Sequence, residues 1–233
     1  MDKQKQILIV MRHGERTDLK GLVPQFGKHD PELTKHGEEQ AFEAGKLISK
    51  ELTKLKIPKD NSTIQIISSP LVRTLQTSRG VLRGIIEEKV YNISDTINVD
   101  FNISEIGSEF PDTPKKYLNI LNETEMFKKE FANEKLKLIS NADALPNNSE
   151  DEPKCYERVG NYLKKKIPEL LTQNEYNITI LVSHGEPVNE MNKHLNHPGP
   201  HGWWTIKYCH NFYYELDPET KQAKYITNAL PPQ

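Results

Sequence analysis

Only two cysteines occur in 233 residues, Cys155 and Cys209, far apart and outside any Cys-x-x-Cys pattern. They read as free thiols in a reducing cytosol, with a single disulfide left open. No apolar run approaches membrane-spanning length, so no membrane partner is expected. The start, Met1 to Gln6, lacks the apolar stretch of a secretory signal and leads straight into apolar residues, so the expected compartment is cytoplasmic. Charge of one sign is scarce: 31 Lys and Arg against 33 Asp and Glu leave a formal net charge of -2, with no long basic run. That excludes a general nucleic-acid or membrane-surface binder. Internal repeats and low-complexity linkers are also missing. Asn-x-Ser/Thr triplets at Asn61, Asn92 and Asn177 read as chance in an Asn-rich chain without a secretory signal.

Short apolar runs alternate with helical periodicity. Ile7 to Met11 suits a strand covered on both faces, as do Ile64 to Ile67 and Ile178 to Val182. A third strand in chain order is expected near Ile97 to Phe101, and a last one around Phe212, Tyr214 and Leu216, paired with residues near Tyr225 and Ile226. Thr34 reads as the N-cap of a helix over 35–55, where Ala41, Ala44, Ile48 and Leu52 recur at helical spacing. Ser69 reads as the N-cap of the next helix, with Pro70 at its first position. Tyr156, Val159, Leu163, Ile167 and Leu170 predict a later helix that Pro168 should kink or interrupt. The expected fold is α/β: a three-layer sandwich with a mostly parallel central sheet flanked by helices. A polar insertion over about 108–152 partly covers the site, in one domain spanning 1–233.

Three strand-to-helix junctions carry the chemistry: Arg12-His13-Gly14-Glu15-Arg16, Ser68-Ser69-Pro70-Leu71-Val72-Arg73 and Ser183-His184-Gly185-Glu186. Parallel strands put all three on one sheet edge, where ligands of open α/β sheets bind. Guanidinium forks match phosphate oxygens, and helix N-termini add backbone donors. A histidine between two arginines therefore points to a phosphoryl site. A lone His184-Gly185 would be ordinary structure; three converging junctions are not.

With these residues in order, the chain resembles the histidine phosphatase superfamily, the phosphoglycerate mutase-like fold. The resemblance runs through Leu8 to Arg16, Leu33 to Ala41, Ser68 to Thr77, Ile103 to Ile106 and Val182 to Gly185. It implies that His13 is phosphorylated, that Arg12, Arg16, Arg73 and His184 form the phosphate pocket, and that Glu105 is the proton donor. Arginine at 16 followed by Asp18 is similar to phosphatases like the suppressor of T-cell receptor signalling (Sts) proteins, where mutases usually carry serine. Gly185-Glu186-Pro187 departs from that group.

The implied activity is a metal-independent phosphomonoesterase without a cofactor, acting on a phosphorylated small molecule or phosphoprotein, with a homodimer left open. Neutral His13 attacks phosphorus, and its second ring nitrogen must donate to a fixed acceptor near Gly14 or Glu15. Glu186 competes with Glu105 for the role of acid. The alternatives are phosphoglycerate mutase-type phosphoryl transfer and a non-catalytic phosphate-binding interaction module. His194, His197 and His201 suggest metal ligation only weakly, since no thiols accompany them. Trp203 and Trp204 would wall a pocket or pack in the core. His29 and His36 are read as surface or structural, Lys164 to Lys166 as a solvated face, and Glu15 and Asp18 as orienting the arginines.

Overall fold

A computed structural model describes residues 5–60, 62–173 and 175–233. Seven strands form one sheet: β1 (Gln6–Arg12), β2 (Thr63–Ser68), β3 (Asn92–Val99), β4 (Lys135–Leu138), β5 (Ile178–Ser183), β6 (Asn211–Leu216) and β7 (Ala223–Ala229). Their order is β4-β3-β2-β5-β1-β6-β7. The first five in that order are mutually parallel, and β6 and β7 continue past β1 as an antiparallel pair. The helices are α1 (Lys35–Lys54), α2 (Val72–Glu88), two short ones, α3 (Asn119–Asn122) and α4 (Glu125–Glu130), then α5 (Glu152–Thr172) and α6 (Gly185–His194).

The layers follow from the two-residue period of the strands. Ile7, Ile9, Met11, Ile64, Ile66, Ile178, Ile180 and Val182 face one side and pack with Ala41, Ala44, Ile48 and Leu52 of α1 and Leu75, Val81 and Ile85 of α2. Leu8, Val10, Ile67, Leu181, Phe212 and Tyr214 face the other, with Val159, Leu163 and Ile167 of α5 and Val188 and Met191 of α6. Covering both faces is why the central strands are mostly apolar, and the buried Gln65 and Thr179 that interrupt β2 and β5 hydrogen-bond each other at 3.0 Å.

Several local expectations meet their residues. Thr34 caps α1, its Oγ1 accepting from Gly37 N at 2.9 Å. β6 pairs with β7, Tyr214 opposite Tyr225. Asn177 is 4% exposed and uses its side chain internally, accepting from Thr63 N and donating to Ser62 Oγ, while Asn92 is exposed at the start of β3 and Asn61 lies outside the described residues. Both cysteines are buried and unbridged. Among the described residues no helix is long and apolar enough to cross a membrane.

Others are corrected. α2 begins at Val72 with Leu71 as its N-cap, so Ser69 and Pro70 lie before the helix. The capping group comes from elsewhere in the chain: buried Asp30 accepts from Val72 N at 2.7 Å. The third strand starts earlier, at Asn92, because its first half is polar and near the sheet edge. Segment 108–152 contributes the edge strand β4, paired in parallel with β3, besides its short helices. α5 runs through Pro168 without a break. The proline sits one turn from the C-terminus, and the carbonyl its ring leaves unpaired belongs to exposed Lys164, which water can serve.

Candidate active site

The three junctions follow β1, β2 and β5, which are neighbours in the sheet. Register aligns their ends: Arg12 lies opposite Ser183, and Ser68 opposite Val182. His13 N then donates to Ser183 O at 2.9 Å and Ser69 N to Val182 O at 2.9 Å, so each chain leaves the sheet while still held by its neighbour. The turn after β1 lies against the first turn of α1. A Cβ at Gly14 would meet Gly37 O at 2.6 Å, and one at Gly37 would meet Glu15 O at 2.2 Å. Only glycine fits either position, which gives both motif glycines a physical reason.

His13 is 1% exposed, and its Nδ1 lies 2.7 Å from Gly14 O. A carbonyl only accepts, so Nδ1 carries the proton and Nε2 keeps its lone pair. Burial, with Arg73 and Arg12 adding repulsion, pushes the His13 pKa well below its ordinary value. His184 is fully buried and shifted the same way, by burial first and then Arg73. The two rings are 5.3 Å apart.

Ser69 explains how His184 is set. Its Oγ lies 2.7 Å from His184 Nε2, and both groups are fully buried. If Nε2 carried the proton, the buried Ser69 hydroxyl hydrogen would have no acceptor, at a cost of roughly 1–3 kcal/mol. Ser69 therefore donates to Nε2, and the His184 proton resides on Nδ1. That nitrogen has no hydrogen-bond partner among the described residues and faces Glu105 Oε2 at 3.4 Å. A neutral histidine is thereby held as a donor toward the site.

The arginines are held by different means. Arg12 Nη1 donates to Ile206 O at 2.6 Å, and its guanidinium lies 4.7 Å from the Tyr208 ring centroid. Arg16 forms a two-pronged pair with Asp18 at 2.7 and 2.6 Å, as read for Asp18. Burial opposes its charge, and that pair more than offsets the burial, leaving the Arg16 pKa raised. Glu15 instead accepts from Lys20 at 2.9 Å and from Thr34 at 2.9 Å, so it orients no arginine. Arg73 is 2% exposed, with Nη2 3.3 Å from Glu105 Oε2; burial lowers its pKa to about 10. Arg73 Nε and Nη1 and Arg12 Nε have no protein acceptor among the described residues. Such donors suit oxygen atoms of a bound anion.

A cavity of about 510 Å³ opens in front of this group, lined by Arg12, His13, Arg16 and Glu105, and also by Leu19, Glu109, Glu152, Glu186 and Trp203. Glu105 thus sits between the two histidines and Arg73, while Glu186 shares the cavity wall. Glu186 has a pKa raised to about 7 by burial and by the neighbouring Glu190 carboxyl. Trp203 and Trp204 are 46% and 66% exposed, so neither is a core residue. The sequence reads Ser69 only as a helix cap and gives Glu109, Glu152 and Tyr208 no role. Each is ordinary in its local context, and only its position in space gives it a role.

Among the described residues one group could hold a metal ion: ligand atoms of His13, Glu105 and His184 lie within 4.8 Å of one another. Three guanidiniums beside it make that position hostile to a dication and favourable to an anion. The later histidines form no metal-capable group among the described residues, although the rings of His197 and His201 lie 6.3 Å apart. His194 donates to Tyr156 O at 2.8 Å and stacks on that ring, while His197 accepts from Gly199 N at 3.1 Å.

Known proteins share this fold. No curated protein sequence matches the chain significantly. Among solved structures, a mycobacterial hydrolase is similar at 17% identity, covering 97% of this chain and 100% of its own, with a TM-score of 0.55. A mycobacterial glucosyl-3-phosphoglycerate phosphatase is 17% identical over 95% of this chain and 97% of its own, with a TM-score of 0.52. A protein from Escherichia coli, described as a candidate alpha-ribazole-5'-P phosphatase, is 18% identical over 97% and 96%, with a TM-score of 0.54. At such identities the likeness establishes the fold. The family model of the histidine phosphatase superfamily, branch 1, matches residues 8–228, a span that takes in all three junctions, and the chain belongs to that family.

Proposed function

We propose that the protein is a phosphomonoesterase that forms a phosphohistidine on His13 and needs no metal ion. The observation that carries this reading is the 2.7 Å contact of Gly14 O with His13 Nδ1, in a ring surrounded by the charges of three arginines. It leaves Nε2 unprotonated on a ring that lines the same cavity as Arg12 and Arg16. In the first step Nε2 bonds to phosphorus as the ester P–O bond breaks, and Glu105 gives its proton to the departing oxygen. In the second, the Glu105 carboxylate takes a proton from water, whose oxygen displaces His13 and releases inorganic phosphate. Arg12, Arg16, Arg73 and the Nδ1–H of His184 hold the three non-bridging oxygens, whose charge is spread in the transition state.

Glu105 is the acid in this reading because it lies within reach of both histidines. Glu186 has a pKa raised to about 7, but among the described residues it makes no short contact to either ring. The test is single-turnover phosphorylation. Wild-type protein should retain labelled phosphate after alkaline quenching, with or without a chelator, and His13→Ala should retain none. With an alkyl phosphate, Glu105→Gln should slow phosphorylation by about 10²–10⁴-fold, and much less with p-nitrophenyl phosphate, whose leaving group needs no proton. Label on His13→Ala, or a selective alkyl-ester loss in Glu186→Gln instead, would overturn the assignment.

A further inference from the structure

The cavity that presents guanidiniums to a phosphate also carries acids, beside Leu19, Ile106, Ser108, Gly185 and Trp203. Glu109, Glu152 and Glu186 line it, and none of the three forms an ion pair among the described residues. Glu186 is 8% exposed, and its contact with Asn189 Nδ2 is long, 3.5 Å. The cations nearby are already engaged. Arg16 is tied to Asp18, Arg73 to Glu105 and Lys20 to Glu15. Arg12 has no carboxylate partner among the described residues, so with Glu105 carrying its proton the three guanidiniums are balanced by Asp18 and one phosphate dianion. Among the described residues that line the cavity, no further Lys or Arg is left for a second anionic group on the substrate. Glu152 opens α5 and Glu186 is the second residue of α6, positions where a helix dipole stabilises acids. That explains how the helices tolerate them, but not why they wall a phosphate cavity, and Glu109 begins no such helix. Trp203, 46% exposed, adds an aromatic face to the same wall. Carboxylates beside an exposed indole are the chemistry that receives an alkylammonium group.

We propose that this cavity selects phosphomonoesters whose alcohol carries a cationic amino group, and discriminates against esters bearing a second anion. The selection rests on the phosphate-ester reading of the same site. One charge-to-charge contact across a wet cavity changes binding by roughly 3–10-fold. Three esters of matched size test it: 2-aminoethyl phosphate, ethyl phosphate and phosphoglycolate, which differ in charge at the far carbon. Wild-type kcat/KM, and affinity for His13→Ala by calorimetry, should both fall in that order, with a total spread of about 10-fold or more. The double variant Glu109→Gln/Glu152→Gln changes two exposed side chains without ion pairs and should shrink the spread several-fold.

Phosphoglycolate equal to or better than 2-aminoethyl phosphate in both assays would overturn the selection. So would an unchanged spread in the double variant. If none of the three is hydrolysed while the affinities keep their order, the selection is supported and the catalytic reading is what fails.

Discussion

At the scale of single residues, the site depends on where two protons sit. His13 shows its lone pair to the cavity because Gly14 O takes the proton of the other nitrogen. His184 shows a proton because Ser69 occupies its other nitrogen at 2.7 Å. The two rings are opposite in what they offer, one a lone pair and the other a proton, which in the proposed mechanism makes one the nucleophile and the other a donor. Nitrogen NMR of labelled protein should find His184 protonated at Nδ1 alone. In Ser69→Ala the Nε2–H form should become populated and kcat should fall about 10–10²-fold, in line with loss of an oriented donor. Ser69→Thr, which keeps the hydroxyl, should restore both readings. A wild-type His184 protonated at Nε2 would contradict this account.

At the scale of elements, α2 is placed by a residue that is 42 positions away. Asp30 accepts from Val72 N at 2.7 Å and also from Asn119 N and Nδ2 at 3.1 and 2.9 Å. One buried carboxylate thus joins the loop after β1, the start of α2 and the short helix α3. Arg73 follows Val72 directly, so the same contact positions a guanidinium of the site. Asp30→Ala removes a helix cap and leaves buried donors unpaired, and should cost about 2–4 kcal/mol in urea unfolding. Its phosphate-ester KM should rise as well, because Arg73 is no longer held. Unchanged stability would show that water replaces the carboxylate without penalty.

At the scale of the whole molecule, the buried site makes folding depend on pH in two opposing ways. His13 and His184 titrate well below their ordinary value of 6.5 in the folded protein, through burial and nearby arginines. Between the folded and unfolded values only the unfolded chain binds the proton. Their contribution is therefore complete above about pH 6.5 and is lost as pH falls through the folded values. Glu186 has the opposite sign. Its pKa is raised from 4.5 to about 7, so the folded state holds its proton more tightly, and stability is lost as pH rises from 4.5 through 7. Thermal melts should show Glu186→Gln gaining on wild type at pH 8, on the order of 1 kcal/mol, and little at pH 4.5. His184→Asn should flatten the acid limb below pH 6.5. If both variants run parallel to wild type across the range, neither group carries the pH dependence.

The local sequence determined the elements and the residue types of the site. Alternating apolar runs specify strands buried on both faces, Thr34 marks a helix start, and the motif at Arg12 to Arg16 names its own chemistry. These are short-range properties, written in periods of two and 3.6 residues. What only the tertiary structure decided is everything that depends on register and approach. Ser69 looks like a helix cap in one dimension and is a partner of His184, 115 positions away. Asp30 gives no local sign of capping α2. Glu109, Glu152 and Trp203 lie on three separate segments and become one wall with Glu186 only when the turns above the sheet close over β1 and β5. A periodic pattern shows which face of an element is buried, but not which distant side chain it meets. That choice belongs to the packing of the whole chain.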